Sequence, residues 1–191
     1  MPARDDLHPQ LIHLAQQSAW LMEALHAARS LQLASWCIGA GAVRNLVWDH
    51  LHQRPAQVPG DIDLVYFDPS AQAEQDENLR ERLATCCPEL PWEVTNQAHV
   101  HHWYANYFGQ PMAPLNSLEE AVGSWPEYAT TVGLYLDADD RLQVIAPHGL
   151  DDLFALRVRH NPTRVGVAIY NQRLAQKRYQ ERWPRVQIIP A

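Results

Sequence analysis

Asp61-Ile62-Asp63-Leu64-Val65-Tyr66-Phe67-Asp68 reads as a strand with two different faces. Successive side chains of a strand point to opposite sides, so Asp61 and Asp63 share one side, about 7 Å apart along the chain. Ile62, Leu64 and Tyr66 fill the other. Close like charges destabilise each other unless a cation lies between them. Two carboxylates on one rigid face therefore point to a divalent cation held against a polyphosphate, the arrangement of metal-dependent phosphoryl transfer.

Upstream, Trp36-Cys37-Ile38 is a short buried strand that stops at Gly39-Ala40-Gly41, and Ala42 to Leu51 resumes a helical pattern. A glycine turn at a strand-to-helix junction lets backbone amides approach a phosphate, and the helix N-terminus adds partial positive charge. The turn is not a dinucleotide fingerprint, because Arg44 stands where a third glycine is required, nor a Walker A loop, because no Gly-Lys-Ser/Thr follows. Arg44 and Asn45, one turn into the helix, can grip phosphate or pair with a nearby acid. Pro55, Pro59 and Gly60 mark the loop into the aspartate strand.

Further out, His8 to Leu31 has the apolar spacing of one amphipathic helix. A charged helix is predicted after Pro69 to about Ala84, and a strand from Trp92 to Trp103 followed by a Gly/Pro-containing loop. On such a strand His99 and His101 share a face and His102 does not, too few ligands for a zinc site. Ser117-Leu118-Glu119-Glu120 is a capping box. Thr130 to Leu136 and Arg141 to Ala146 form a hairpin around Asp137, Asp139 and Asp140, turn aspartates without an EF-hand pattern. Thr130 and Thr131, read as strand residues, can reach a base or ribose. Leu150 to Val158 is helical, Asp151 and Asp152 being ordinary N-terminal helix charge. A last helix covers about Ala168 to Arg182, with Arg173 and Lys177 at i, i+4 spacing, able to reach one triphosphate together, and Arg178, Arg182 and Arg185 close behind.

A length of 191 residues suits one domain, here 1–191 with an N-terminal helix over 1–31 and a C-terminal helix over 168–183. Hydrophobic residues at 47% supply a core, and charged residues at 19% make global disorder implausible. A formal charge of -7 excludes a general nucleic-acid binder that works by phosphate neutralisation. Met1-Pro2-Ala3-Arg4-Asp5-Asp6 has no signal-peptide character, no apolar stretch spans a membrane, and Cys37, Cys86 and Cys87 form no CxxC pair. The expectation is a cytoplasmic chain with idle thiols.

A glycine turn, a helix, then a strand with Asp-x-Asp is the order found in polymerase-β-type nucleotidyltransferases, and the chain resembles that superfamily at Gly39, Gly41, Asp61 and Asp63. More narrowly it is similar to one bacterial family of nucleotidyltransferase-like proteins. The matching segments are GAGAVRNLVWDHLH, DIDLVYFD, WEVTNQAHVHHWY, SWPEYATTVGLYL, IAPHGLDDLF and RLAQKRYQERWP, which cover nearly all of the chain after the first helix. The resemblance implies an α/β (α+β) minimal nucleotidyltransferase fold, a mixed sheet flanked by helices. It implies that Asp61 and Asp63 bind Mg²⁺ (or Mn²⁺) with the triphosphate of an NTP, and that Glu93 is a third catalytic carboxylate. Gly39, Gly41, Arg44 and Asn45 would seat the nucleotide, with Arg173 and Lys177 as further phosphate ligands. Where that family carries a Lys and an Arg after the Glu, this chain has Thr95 and His99.

The leading expectation is thus an enzyme that moves a nucleotidyl group from an NTP to an unidentified acceptor (small molecule, protein or RNA) and releases pyrophosphate. The alternative is a catalytically inactive nucleotide-binding or regulatory module of the same fold, favoured by the lost charges at Thr95 and His99. A metal-dependent phosphohydrolase is a third reading. A nucleic-acid polymerase, general DNA binding and membrane association are not expected.

Overall fold

The computed structural model describes residues 7–191. The predicted lack of a signal segment at residues 1–6, and that part of the predicted N-terminal helix, lie outside the described residues. The elements are α1 (Leu7–Gln17), α2 (Ala19–Ser30), β1 (Trp36–Gly39), α3 (Gly41–Leu51), β2 (Ile62–Tyr66), α4 (Gln75–Cys86), β3 (Trp92–Asn96), α5 (Val100–Phe108), α6 (Leu118–Gly123), β4 (Gly133–Leu136), β5 (Leu142–Ile145), α7 (Asp151–Phe154), β6 (Arg157–Val158), α8 (Val167–Lys177), α9 (Tyr179–Arg182) and β7 (Gln187–Ile188).

Five strands form a mixed sheet in the order β3-β2-β1-β4-β5. β2 and β3 run parallel, with α4 as their crossover, and the other neighbours are antiparallel. β6 and β7 make a separate parallel pair. The fold class predicted from the sequence is the observed one, a mixed sheet flanked by helices.

The alternation in β2 divides the sheet's two faces. Ile62, Leu64 and Tyr66 join Trp36, Ile38, Leu134 and Leu136 under the large core formed with α1, α2 and α3. Val65 and Cys37 face the other way, into a smaller cluster with Leu118, Val122 and Trp125. Asp63 shares the Val65 side, so the carboxylates occupy the face that the helices cover only in part.

Several boundaries differ from expectation. The N-terminal helix is two helices, broken at Ser18, whose backbone is extended (φ -91°, ψ 104°) and whose carbonyl accepts from the Met22 amide at 3.0 Å. The strand expected over Trp92–Trp103 ends at Asn96. The Asn96 side chain accepts from the Ala98 amide at 3.1 Å and opens a 3₁₀ turn, Gln97–His99, that leads into α5. His99, His101 and His102 therefore lie in this turn and helix, and they share no strand face. Leu150–Val158 is a four-residue helix stopped by Leu156 (φ 57°) and followed by β6. The last helix breaks at Arg178 (φ 45°) into α8 and α9. Thr130 and Thr131 precede β4, in and after a 3₁₀ turn, with their hydroxyls donating to the Glu127 and Tyr128 carbonyls.

The charged helix expected after Pro69 begins at Gln75, and the capping box and the hairpin are observed as expected. Ser117 Oγ accepts from the Glu120 amide at 3.1 Å, capping α6, and the hairpin turns at Asp137–Asp140 as expected. All three cysteines are free thiols. No helix among the described residues is long and apolar enough to cross a membrane.

Candidate active site

Parallel pairing places Asp63 opposite Glu93, and Asp61 precedes β2 on the same side. One carboxylate oxygen from each of Asp61, Asp63 and Glu93 lies within 4.8 Å of the others. Such a trio of hard oxygen donors suits a divalent cation. The electrostatics of the trio are in keeping with that fit. Burial, then the charges of Asp61 and Glu93, push the Asp63 carboxyl from its ordinary 3.8 up to about 6, while Lys177 and Arg44 pull it back only in part. A cation among the three would remove that repulsion.

Asp61 and Asp63 open into a cleft of about 310 Å³, whose floor continues along Val65 and Thr95. A larger hollow of about 1060 Å³ lies near the end of α2 and the hairpin. It holds none of the expected site residues, and its Arg29 is tied to the Asp137 and Ala138 carbonyls. The expected site residues gather in the smaller cleft.

One wall is the turn before α3. Ala40 and Gly41 line it, and no side chain caps the helix, so its first amides are open to an anion. Ala40 has φ 50° and ψ -121°, a conformation L-residues rarely adopt, held by its amide's 3.1 Å bond to the Val132 carbonyl. The two glycines differ. A Cβ on Gly39 would stand 2.7 Å from the Trp125 ring and from the Val132 carbonyl, so Gly39 serves packing. A Cβ on Gly41 would meet only the tip of Arg44, at 3.6 Å.

Basic side chains flank this turn. Arg44 is buried, donates twice to Asn45 Oδ1 (2.9 and 3.2 Å) and lies over the rings of Trp48, Tyr179 and Trp183 at 4.9–5.7 Å. Asn45 thus reaches the cleft through Arg44. Arg173 donates to both carboxylate oxygens of the buried Glu127 (2.9 and 3.4 Å). Burial opposes its charge, but Glu127 outweighs this and raises its pKa. Lys177 is exposed at the cleft mouth and makes no ion pair among the described residues.

The structure therefore brings Asp61, Asp63, Gly41, Arg44, Arg173 and Lys177 to one cleft, with Glu93 beside the aspartates, Asn45 behind Arg44 and Gly39 beneath the turn. Sequence reasoning missed Gln97, Trp103, Arg164 and Glu127. The first three line the cleft, and Glu127 orients Arg173 from behind.

The profile of the family described as nucleotidyltransferase matches residues 26–188, from α2 through β7. The chain belongs to this nucleotidyltransferase family. It is an enzyme family, and the matched span contains every residue of the cleft named above. Among solved structures, one described as revealing a CCA-adding enzyme head domain superposes with a TM-score of 0.83, at 28% identity, over 96% of each chain. Two apo structures of a tRNA-processing enzyme share the fold, with TM-scores of 0.52 and 0.51 at 17% and 16% identity. The chain covers 44% and 45% of their lengths. No curated protein matches the sequence.

Proposed function

We propose that this protein is a divalent-metal-dependent nucleotidyltransferase that transfers a nucleotidyl group from an NTP to an acceptor nucleophile and releases pyrophosphate. The observation that carries this reading is the convergence of Asp61, Asp63 and Glu93, with ligand oxygens within 4.8 Å, beside a basic cleft. Asp61 and Asp63 would hold Mg²⁺ or Mn²⁺, with Glu93 completing its shell or accepting the nucleophile's proton. A cation bound there neutralises charge on the phosphates and lowers the pKa of the attacking hydroxyl.

The chain's own residues supply the rest. The α3 amides and Gly41 seat the phosphates at the turn. Lys177 and Arg173 stand one helical turn apart and stabilise charge on the departing pyrophosphate. Arg44, held among three aromatic rings, contributes a fixed positive potential and little reach. Thr95 leaves that stretch of the cleft floor uncharged, so phosphate binding falls to the α8 side.

The acceptor is the open part of the proposal. The similar head-domain structure makes a tRNA 3′ end the first acceptor to test, although the acidic chain has few charges to hold a whole RNA. The experiment incubates the protein with each α-labelled NTP, Mg²⁺ or Mn²⁺, and separately tRNA, protein and small-molecule fractions. Label transfer lost in Asp63→Ala supports the reading and identifies the acceptor class. Nucleotide binding without pyrophosphate release in every fraction would leave the non-catalytic module as the better account. Orthophosphate release without label transfer would point to hydrolysis.

A further inference from the structure

Beyond the carboxylates and the phosphate wall, the cleft has an inner end that the reaction as proposed does not use. Thr95 stands two residues past Glu93, about 7 Å along the strand. Gln97 and Trp103 follow beyond the end of β3, and Arg164 reaches in from the loop before α8. Gln97 is only 5% exposed, yet its Oε1 has no hydrogen-bond partner. Arg164 is in the same condition, with Nε and one terminal NH₂ buried and unpaired and its pKa lowered by burial. Buried polar groups are rarely left unpaired, because each keeps the cost of leaving water without recovering a bond.

The same cleft is also lined by aromatic and apolar side chains. Trp103 is 38% exposed and stands edge-on to Tyr107, at 5.4 Å and 82°. Trp125 and Pro126 also line the cleft. An acceptor and donors without hydrogen-bond partners and an exposed indole in one cavity suit a planar ligand whose edge offers both a donor and an acceptor. A bare anion would satisfy Arg164 but leave Gln97 Oε1 unpaired. Asp61 and Asp63 line the same cleft, so a nucleotide whose phosphates meet the carboxylates has its base within this one cavity.

We infer that Gln97, Arg164 and Trp103 form the pocket for the nucleobase of the incoming NTP, Gln97 and Arg164 pairing with the base edge and Trp103 stacking on its face. This rests on the nucleotidyltransferase reading and adds to it the residues that tell a nucleotide from a polyphosphate. Thr130, whose hydroxyl donates to the Glu127 carbonyl, is not needed for that selection.

The test compares binding of the four nucleoside triphosphates with inorganic tripolyphosphate, in Mg²⁺ without an acceptor, by calorimetry. Wild type should bind at least one nucleoside triphosphate about tenfold or more tighter than tripolyphosphate, the size of one stacked base. Trp103→Ala, Gln97→Met and Arg164→Met should each narrow that gap and leave tripolyphosphate binding unchanged. Trp103→Ala, at an exposed site, keeps the test free of folding effects.

A gap that survives all three variants overturns the inference, as does equal binding of tripolyphosphate and nucleotides by wild type. Parallel loss of both ligands in Arg164→Met would make that arginine a phosphate ligand and overturn its assignment. Absence of any binding by wild type, with no change in Asp63→Asn, would overturn the nucleotidyltransferase reading itself, and this inference with it.

Discussion

Replacing Asp63 by Asn should stabilise the protein without metal while destroying its response to metal. Asp63 sits at about 6 instead of 3.8, a gap of about 2 pKa units, because burial and the charges of Asp61 and Glu93 oppose its ionisation. Each unit corresponds to about 1.4 kcal/mol, so keeping Asp63 charged costs up to about 3 kcal/mol. The amide retains part of the burial cost, so the expected gain from Asp63→Asn is about 1–2 kcal/mol, or roughly 2–8 °C in Tm for a chain of this size. The direction with pH follows from the raised value. Well below 3.8 the carboxyl is protonated in both folded and unfolded chains and the penalty is absent. It grows as pH rises from there and is complete above about 6. The gain should therefore appear in chelator at about pH 7.5 and vanish near pH 4. Added Mg²⁺ should raise the Tm of wild type at the higher pH and leave Asp63→Asn unmoved. The assay is a thermal melt of both proteins across pH, with chelator and with Mg²⁺. An Asp63→Asn protein less stable than wild type in chelator above pH 7, or equally stabilised at every pH, would refute the electrostatic account of the site.

Three further outcomes separate packing from binding. Gly39→Ala should lose about 1–3 kcal/mol in denaturant melts because its methyl meets Trp125 and Val132, whereas Gly41→Ala should melt within about 0.5 kcal/mol of wild type and lose NTP affinity by titration. Glu127→Gln should cost about 2–4 kcal/mol by chemical denaturation, since it leaves Arg173 without its partner carboxylate, and adding Arg173→Met should recover part of that loss in a double-mutant cycle. Lys177→Met removes a charge that holds Asp63 down, so the pH below which Mg²⁺ affinity falls should move upward in a titration of metal binding against pH.

The carboxylate centre was legible because strand alternation is a local rule: Asp61 and Asp63 had to share a side once Ile62 and Leu64 were buried. The glycine turn and the i, i+4 pair Arg173/Lys177 were legible for the same reason. Contacts between distant segments were not. Glu127 reads as an ordinary loop acid until the fold sets it beneath Arg173, 46 residues later. Arg164 lies in a loop with no periodicity, and only its missing partners mark it. The strand misread from Trp92 to Trp103 has a sharper cause. Val100 and Tyr104 are buried four residues apart, which is a helical period, but the turn that starts the helix depends on the Asn96 side chain. That error hid Trp103 and Gln97, because a strand would have carried them away from the aspartates.

The break at Arg178 ties these observations together. A left-handed arginine costs about 1 kcal/mol or more, and a straight helix through Arg182 would avoid that cost. What the bend achieves is contact. Tyr179 and Trp183 turn in to meet Trp48 edge-on at 5.7 and 5.3 Å, and Trp183 and Arg182 both donate to the buried Asp49 at 2.8 Å. Trp48 and Asp49 belong to α3, whose first turn borders the cleft, and Arg44 on the same helix fills the space between the rings. The C-terminal segment is thereby clamped to the helix that begins at the glycine turn. That clamp fixes where α8 runs, and so where Arg173 and Lys177 stand relative to Asp63. The basic side chains and the phosphate turn are positioned by one packed interface, so the cleft's charge geometry is a property of the core, and the strain at Arg178 is the local cost of that alignment.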